Sequence, residues 1–164
     1  MVYLLDSNVF IQAKNLHYGF DFCPAFWDWL ILSNQRKQVF SIEKVRDELE
    51  AGNDDLGLWA TERDETFFLP PDSEIFPAFN EVSNWVMGQE YQTSAVNTFF
   101  QLADYYLIAY ALTYHYTVVT HEVPQNTIRK VKIPNVCIGL NIRHMTPYEM
   151  LHRERAYFVL GVRG

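Results

Sequence analysis

Residues 2–5, Val2-Tyr3-Leu4-Leu5, are apolar without interruption and stop at Asp6-Ser7-Asn8. A short run with no polar alternation has no face to give to water, so it suits a strand covered on both sides that ends in a polar turn. The same punctuation recurs. Gln38-Val39-Phe40, Thr66-Phe67-Phe68-Leu69 before Pro70-Pro71, Tyr116-Thr117-Val118-Val119-Thr120 before His121-Glu122, and Val136-Cys137-Ile138-Gly139-Leu140 all read as short buried strands. Helical patterns alternate with them. Cys23 to Leu32 carries Pro24 near its first turn, and Ile42 to Ala51 follows Ser41 as N-cap and ends at Gly52. Asp54 to Thr61, Ile75 to Met87, and Gln92 to His115 with a break before Asp104 continue the series, and Thr146-Pro147 opens a last helix. Strands alternating with helices predict a three-layer α/β/α sandwich with a mostly parallel central sheet, as a single domain over residues 1–164.

Composition supports one domain with a sizeable core, since 49% of the 164 residues are hydrophobic. The longest apolar run, Tyr105 to Leu112, is well short of the roughly 18 to 20 residues a bilayer needs. With an acid already at position 6 and no basic residue before it, no secretory leader is expected, and the expected compartment is the cytoplasm. Cys23 and Cys137 sit in apolar surroundings and are too few for a four-ligand zinc site, so two reduced, buried thiols are expected. A formal net charge of -7 disfavours a polyanionic partner at first sight.

In open parallel sheets ligands bind beyond the carboxyl ends of the strands, where strand order reverses. Two predicted strands deliver an acid there, Asp6 and Glu122. A carboxylate just past a buried strand is drawn toward low dielectric and needs a cation or hydrogen bonds. Glu48 borders the apolar positions Val45 and Leu49 of its helix, and Asp104 precedes Leu107, Ile108 and Ala111. Each acid taken alone has an ordinary reading. Asp6 suits a turn or cap, Glu48 belongs to an acidic helix, Asp104 suits an N-cap and Glu122 a loop.

Taken in order, Leu4-Leu5-Asp6-Ser7-Asn8-Val9-Phe10, Val45-Arg46-Asp47-Glu48-Leu49, Ala103-Asp104 through Ala111, and Val118-Val119-Thr120-His121-Glu122 resemble the PIN domain nuclease family over nearly the whole chain. The segment Lys130 to Cys137, with Leu56 and Trp59, is similar to a PIN-like branch of toxins related to the VapC toxins. The resemblance implies that Asp6, Glu48, Asp104 and Glu122 are catalytic, metal-binding acids, supported by the polar side chains Asn8 and Thr120. Glu48 is preferred to Asp47 because the family acid directly precedes a Leu. Glu122 departs from the family, which carries Asp there. The resemblance further implies a metal-dependent endoribonuclease acting as the toxin of a toxin-antitoxin pair, with a cognate antitoxin protein and a homodimeric state. A catalytically weak PIN-like module that binds RNA or protein, and an unrelated α/β binding domain in which the acids only cap helices, are the alternatives.

Four carboxylates converging with no Lys or Arg beside them, as expected here, cannot all stay ionised without a cation. Oxygen donors without a Cys/His set favour Mg²⁺ or Mn²⁺, with Asp6 as the bridging ligand of a two-metal site. His121 is expected to face a neighbour or solvent, and the other four histidines to form no cluster. The four tryptophans could stack on single-stranded bases, although packing is the commoner use. The net charge also divides unevenly, with 6 basic against 17 acidic side chains in residues 1–120 and 7 against 3 in residues 121–164. Arg129, Lys130, Lys132 and Arg143 are therefore candidates for holding an RNA backbone beside the acidic site.

Overall fold

The computed structural model describes residues 1–162. Its strands are β1 (Tyr3–Leu5), β2 (Val39–Ile42), β3 (Phe68–Leu69), β4 (Thr117–Val119) and β5 (His144–Met145). They form one five-stranded sheet in the order β3-β2-β1-β4-β5, and every neighbouring pair is parallel. Among the described residues nine α-helices flank it as a three-layer α/β/α sandwich: α1 (Ser7–Gln12), α2 (Pro24–Gln35), α3 (Glu43–Ala51), α4 (Asp55–Thr61), α5 (Phe76–Met87), α6 (Thr93–Gln101), α7 (Ala103–Tyr114), α8 (Ile133–Gly139) and α9 (Pro147–Arg153). A π-helical turn, Ala13–His17, extends α1. No helix among the described residues is long and apolar enough to cross a membrane.

The central strands are hidden on both faces. Tyr3, Leu4, Leu5, Val118 and Val119 are all fully buried, and each large aliphatic side chain so placed contributes about 1.5–3 kcal/mol relative to exposure. On one side of the sheet an aromatic cluster joins Phe10 to Trp59, Phe67 and Phe68, with Trp27 edge-on to Trp59. Trp27 and Trp59 are thus core residues rather than stacking platforms.

Because β2 and β3 lie to one side of β1, and β4 and β5 to the other, strand order reverses between β1 and β4. Leu5 is in register with Val119, and the Asp6 amide donates to the Val119 carbonyl at 2.9 Å. The residues directly after both strands therefore meet at the crevice.

Several local expectations are corrected. Residues 136–140 are not a strand: Pro134 sits in the first turn of α8, whose Ile133, Val136 and Cys137 recur at helical spacing on its buried side. The fifth strand is His144–Met145, paired with Val118 and Val119. Ser41 does not cap α3. It lies within β2 and its hydroxyl donates to the Leu5 carbonyl at 2.6 Å, tying the two strands together. Gly52 keeps a right-handed conformation, and Asn53 takes the left-handed turn with φ 52°. The break before Asp104 falls at Leu102, whose extended backbone separates α6 from α7. Thr146 caps α9 in a capping box with Glu149. Both cysteines are free, but only Cys137 is buried; Cys23 is partly exposed.

Candidate metal centre

Asp6 is the N-cap of α1, a role its ordinary reading anticipated, and it is 4% exposed. One carboxylate oxygen accepts from the Ser7 amide at 2.7 Å, and the other accepts from the Thr120 hydroxyl at 2.8 Å. Thr120 is buried at the end of β4 and works in three directions. Its oxygen also accepts from the Asn8 side-chain amide at 3.1 Å and from the Glu122 backbone amide at 3.0 Å. Asn8 in turn accepts from the His121 amide at 3.1 Å. Asn8 is therefore a clamp between the β1 and β4 termini and does not cap α1. This network gives Asp6 one fixed orientation at the crevice.

Asp104 lies in the first turn of α7, where the helix N-terminus favours a negative charge, while Leu102 occupies the N-cap position. Glu48 stands exposed on α3, one helical turn after Lys44. The acids repel one another. Burial, opposed by the Thr120 and Ser7 hydrogen bonds and reinforced by Glu122 and Glu48, pushes Asp6 from 3.8 up to about 6. Burial, with repulsion from Asp6, Glu122 and Glu48 and a smaller opposing pull from Lys130, pushes Asp104 from 3.8 up to about 8. Glu48 is among the main influences on both Asp6 and Asp104 and Asp47 is not, in keeping with Glu48 as the acid of α3 nearer the crevice.

The expectation of a site without cations is overturned at Glu122. Its Oε1 lies 3.3 Å from Lys130 Nζ and 3.9 Å from Lys132 Nζ, and its Oε2 accepts from the Ile133 amide at 3.1 Å. The spacing Lys130-Val131-Lys132 sends both ammonium groups to one carboxylate because Val131 between them is buried. Glu122 is thereby held, and charge-compensated, at the start of α8. Lys44 is a further cation that sequence reasoning passed over. Its Nζ sits 4.1 Å from the centroid of the Tyr106 ring, two residues beyond Asp104, and the four-residue step from Lys44 to Glu48 was the available signal.

Among the described residues, no three His, Cys, Asp or Glu side chains already converge as a closed ligand set. The donors nevertheless suit a hard divalent cation. They are oxygens only, Asp6 is buried and Asp104 half-buried, and the upward shifts of both mean that added positive charge would favour their ionisation together at neutral pH. Asp6 and Asp104 would hold the ion, Glu48 would reach it by a side-chain rotation from its exposed position, and Glu122 would join only by leaving its lysines.

The remaining candidates divide. Arg129 and Lys130 line a cavity of about 280 Å³ with Ser94, Thr98 and Phe99 of α6. Arg143 lies at the opposite, amino edge of the sheet, in a pocket with His115 and Tyr116, and so does not flank the acids. His121 faces neighbours, as expected, but the other histidines are not all scattered. His17, brought in by the π-helical turn, lies 5.7 Å ring to ring from His121, and Tyr148 of α9 lies 5.5 Å from each. The Tyr148 hydroxyl is 2.8 Å from His17 Nε2. These three residues are 27 or more positions apart in pairs except through the fold, and no local pattern announces them.

No curated protein and no solved structure is detectably similar to the chain. A family model matches residues 3–158, a span that includes every acid of the crevice together with Asn8 and Thr120, and the chain belongs to that family, described as Domain of unknown function (DUF4411).

Proposed function

We propose that the chain is a metal-dependent endoribonuclease with a PIN-like site, acting in the cytoplasm as the toxin of a toxin-antitoxin pair. The observation that carries this reading is the meeting of acids at the β1/β4 crevice, where buried Asp6 and half-buried Asp104 are both pushed well above the ordinary carboxylate range by burial and by the neighbouring carboxylates. Mg²⁺ or Mn²⁺ bound there would activate a water and stabilise the leaving oxygen of an RNA phosphodiester. The chain's own contribution is positional. Ser7 and Thr120 fix the orientation of Asp6, the first turn of α7 presents Asp104, and α3 supplies Glu48 from the rim, as the residues that would hold the ion. Lys130 stands beside Glu122 and acts on Asp104, and Arg129 lines the adjoining cavity with it, where a phosphate backbone would approach. An antitoxin protein would neutralise the enzyme by covering this crevice, and a homodimer is the proposed assembly.

The test is cleavage of single-stranded RNA by purified protein with Mn²⁺ or Mg²⁺, compared with Asp6→Asn and Asp104→Asn. Loss of activity in both variants supports the reading; equal cutting by either variant sinks it. A second reading is favoured by Glu122, whose carboxylate is already engaged by Lys130, Lys132 and the Ile133 amide. On that reading the domain binds RNA or a protein and cuts weakly or not at all. Ion binding by titration calorimetry without any RNA turnover would favour it.

A further inference from the structure

The His17, His121 and Tyr148 rings pack on one another, and Tyr148 also lines a separate pocket of about 430 Å³, within the size range of small-ligand sites. Its lining includes Tyr18, Tyr148, His152, Arg155, Tyr157 and Phe158. The floor is rigid. Tyr18 stacks on Phe26 at 4.4 Å between centroids, and Phe158 stands edge-on to both rings. The rim is open, with Tyr148 40% and Tyr157 84% exposed.

The chain reaches this arrangement through the end of α9. The Arg155 amide donates to the His152 carbonyl at 3.1 Å and the Ala156 amide to the Leu151 carbonyl at 2.9 Å, a Schellman pattern that reverses the chain. Its left-handed position, usually glycine, is held by Arg155 with φ 52°. Ala156 to Phe158 then return over Tyr18. Neither acid of this element contributes to the lining: Glu149 closes the capping box with Thr146, and Glu154 accepts from the Tyr3 hydroxyl.

We propose that this pocket binds one unstacked nucleobase of a single-stranded RNA, stacked against Tyr148 and Tyr157 with Arg155 on an adjoining phosphate. Aromatic faces accept any base, and a guanidinium at the rim suits the phosphate that accompanies it. A protein segment would also find apolar rings here, but the Arg155 guanidinium with no carboxylate in the lining favours a polyanion. Contacts run from Tyr148 through His121, Asn8 and Thr120 to Asp6, and a strand with one base held here would extend from the pocket toward those acids. The inference rests on the ribonuclease reading for its substrate, but binding can be measured apart from cleavage.

The experiment uses the full chain in EDTA and fluorescein-labelled RNA decamers of adenosine and of uridine, with an abasic decamer as backbone control, read by fluorescence anisotropy. Tyr148→Leu is expected to weaken binding of the adenosine decamer about tenfold, while Tyr148→Phe, which keeps the ring, retains it. Arg155→Gly keeps the left-handed turn and is expected to weaken the adenosine and abasic decamers alike. Thermal melts confirm that each variant is folded. Equal affinity of wild type and Tyr148→Leu, or of intact and abasic decamers for the wild type, overturns the proposal and leaves the pocket to a protein segment. Base-dependent binding without cleavage in Mn²⁺ would keep the pocket and remove the nuclease.

Discussion

The desolvation of Asp6 and Asp104, reinforced by neighbouring carboxylates, makes the stability of the metal-free protein fall as pH rises. In the unfolded chain an Asp loses its proton near pH 3.9. In the fold Asp104 keeps its proton up to about pH 8 and Asp6 up to about pH 6. Because both folded values are raised, the associated stability is fully present below about pH 4 and is lost as pH rises through 6 and then 8. Between pH 6 and pH 8 the native state holds one excess proton at Asp104. That corresponds to about 1.4 kcal/mol per pH unit, or on the order of 2–3 kcal/mol over the interval. For a chain of this size the loss lowers Tm by about 5–10 °C. The assay is thermal unfolding in EDTA at pH 6, 7 and 8, for wild type and Asp104→Asn. The variant carries no titrating carboxyl at that position, so the wild-type slope should shrink strongly, and histidine titrations common to both proteins cancel in the difference. Mn²⁺ at a hundred times its Kd should restore about 2.7 kcal/mol to the wild type at pH 8 and much less to the variant. Identical pH slopes in EDTA for the two proteins would refute the argument that Asp104 is buried against other carboxylates.

Other consequences are local. Thr120→Val removes the hydroxyl that donates to Asp6 and accepts from Asn8 and the Glu122 amide; chemical denaturation should report a loss of about 1–3 kcal/mol. Lys130→Ala with Lys132→Ala frees the Glu122 carboxylate, and titration calorimetry should show tighter divalent-ion binding than in the wild type. Gly139→Ala would set a Cβ 2.2 Å from the Trp85 ring, so α5 and α8 must part, at a cost of about 1–3 kcal/mol in urea melts. Lys37→Gly replaces an exposed side chain at φ 63° and should stabilise by about 1 kcal/mol in the same assay.

Periodicity was enough to find β1, β2 and β4 because each is a short apolar run between polar turns, and the break in the long helix at Leu102 followed from the same pattern. It failed at residues 136–140, where three apolar residues in a row before Gly139 and Leu140 fit a buried strand as well as a short helix, and Pro134 was the discriminating signal. It also failed at His144–Met145, since two residues carry no period. Among the site residues, the orientation of Asp6 was legible from its position after β1. The clustering of His17, His121 and Tyr148 was not, because it depends on a π-helical turn and on where α9 docks.

The lysines on Glu122 alter what the overall charge of -7 implies for a polyanionic partner. Counted by sequence, the basic residues follow the acids; counted in space, Lys130 and Lys132 touch one of them. A lysine that neutralises Glu122 cannot at the same time pair fully with a phosphate, so on the proposed function the approach of an RNA backbone and the release of Glu122 would be coupled. Lys130 is 56% exposed and Lys132 19%, so Lys130 is the one free to turn outward. A phosphate taking Lys130 would leave Glu122 with less compensation beside two acids already raised by burial and by neighbouring carboxylates, and that would increase the demand for a divalent ion at the crevice. Substrate and metal would then bind with positive cooperativity, because each removes a charge imbalance that the other creates.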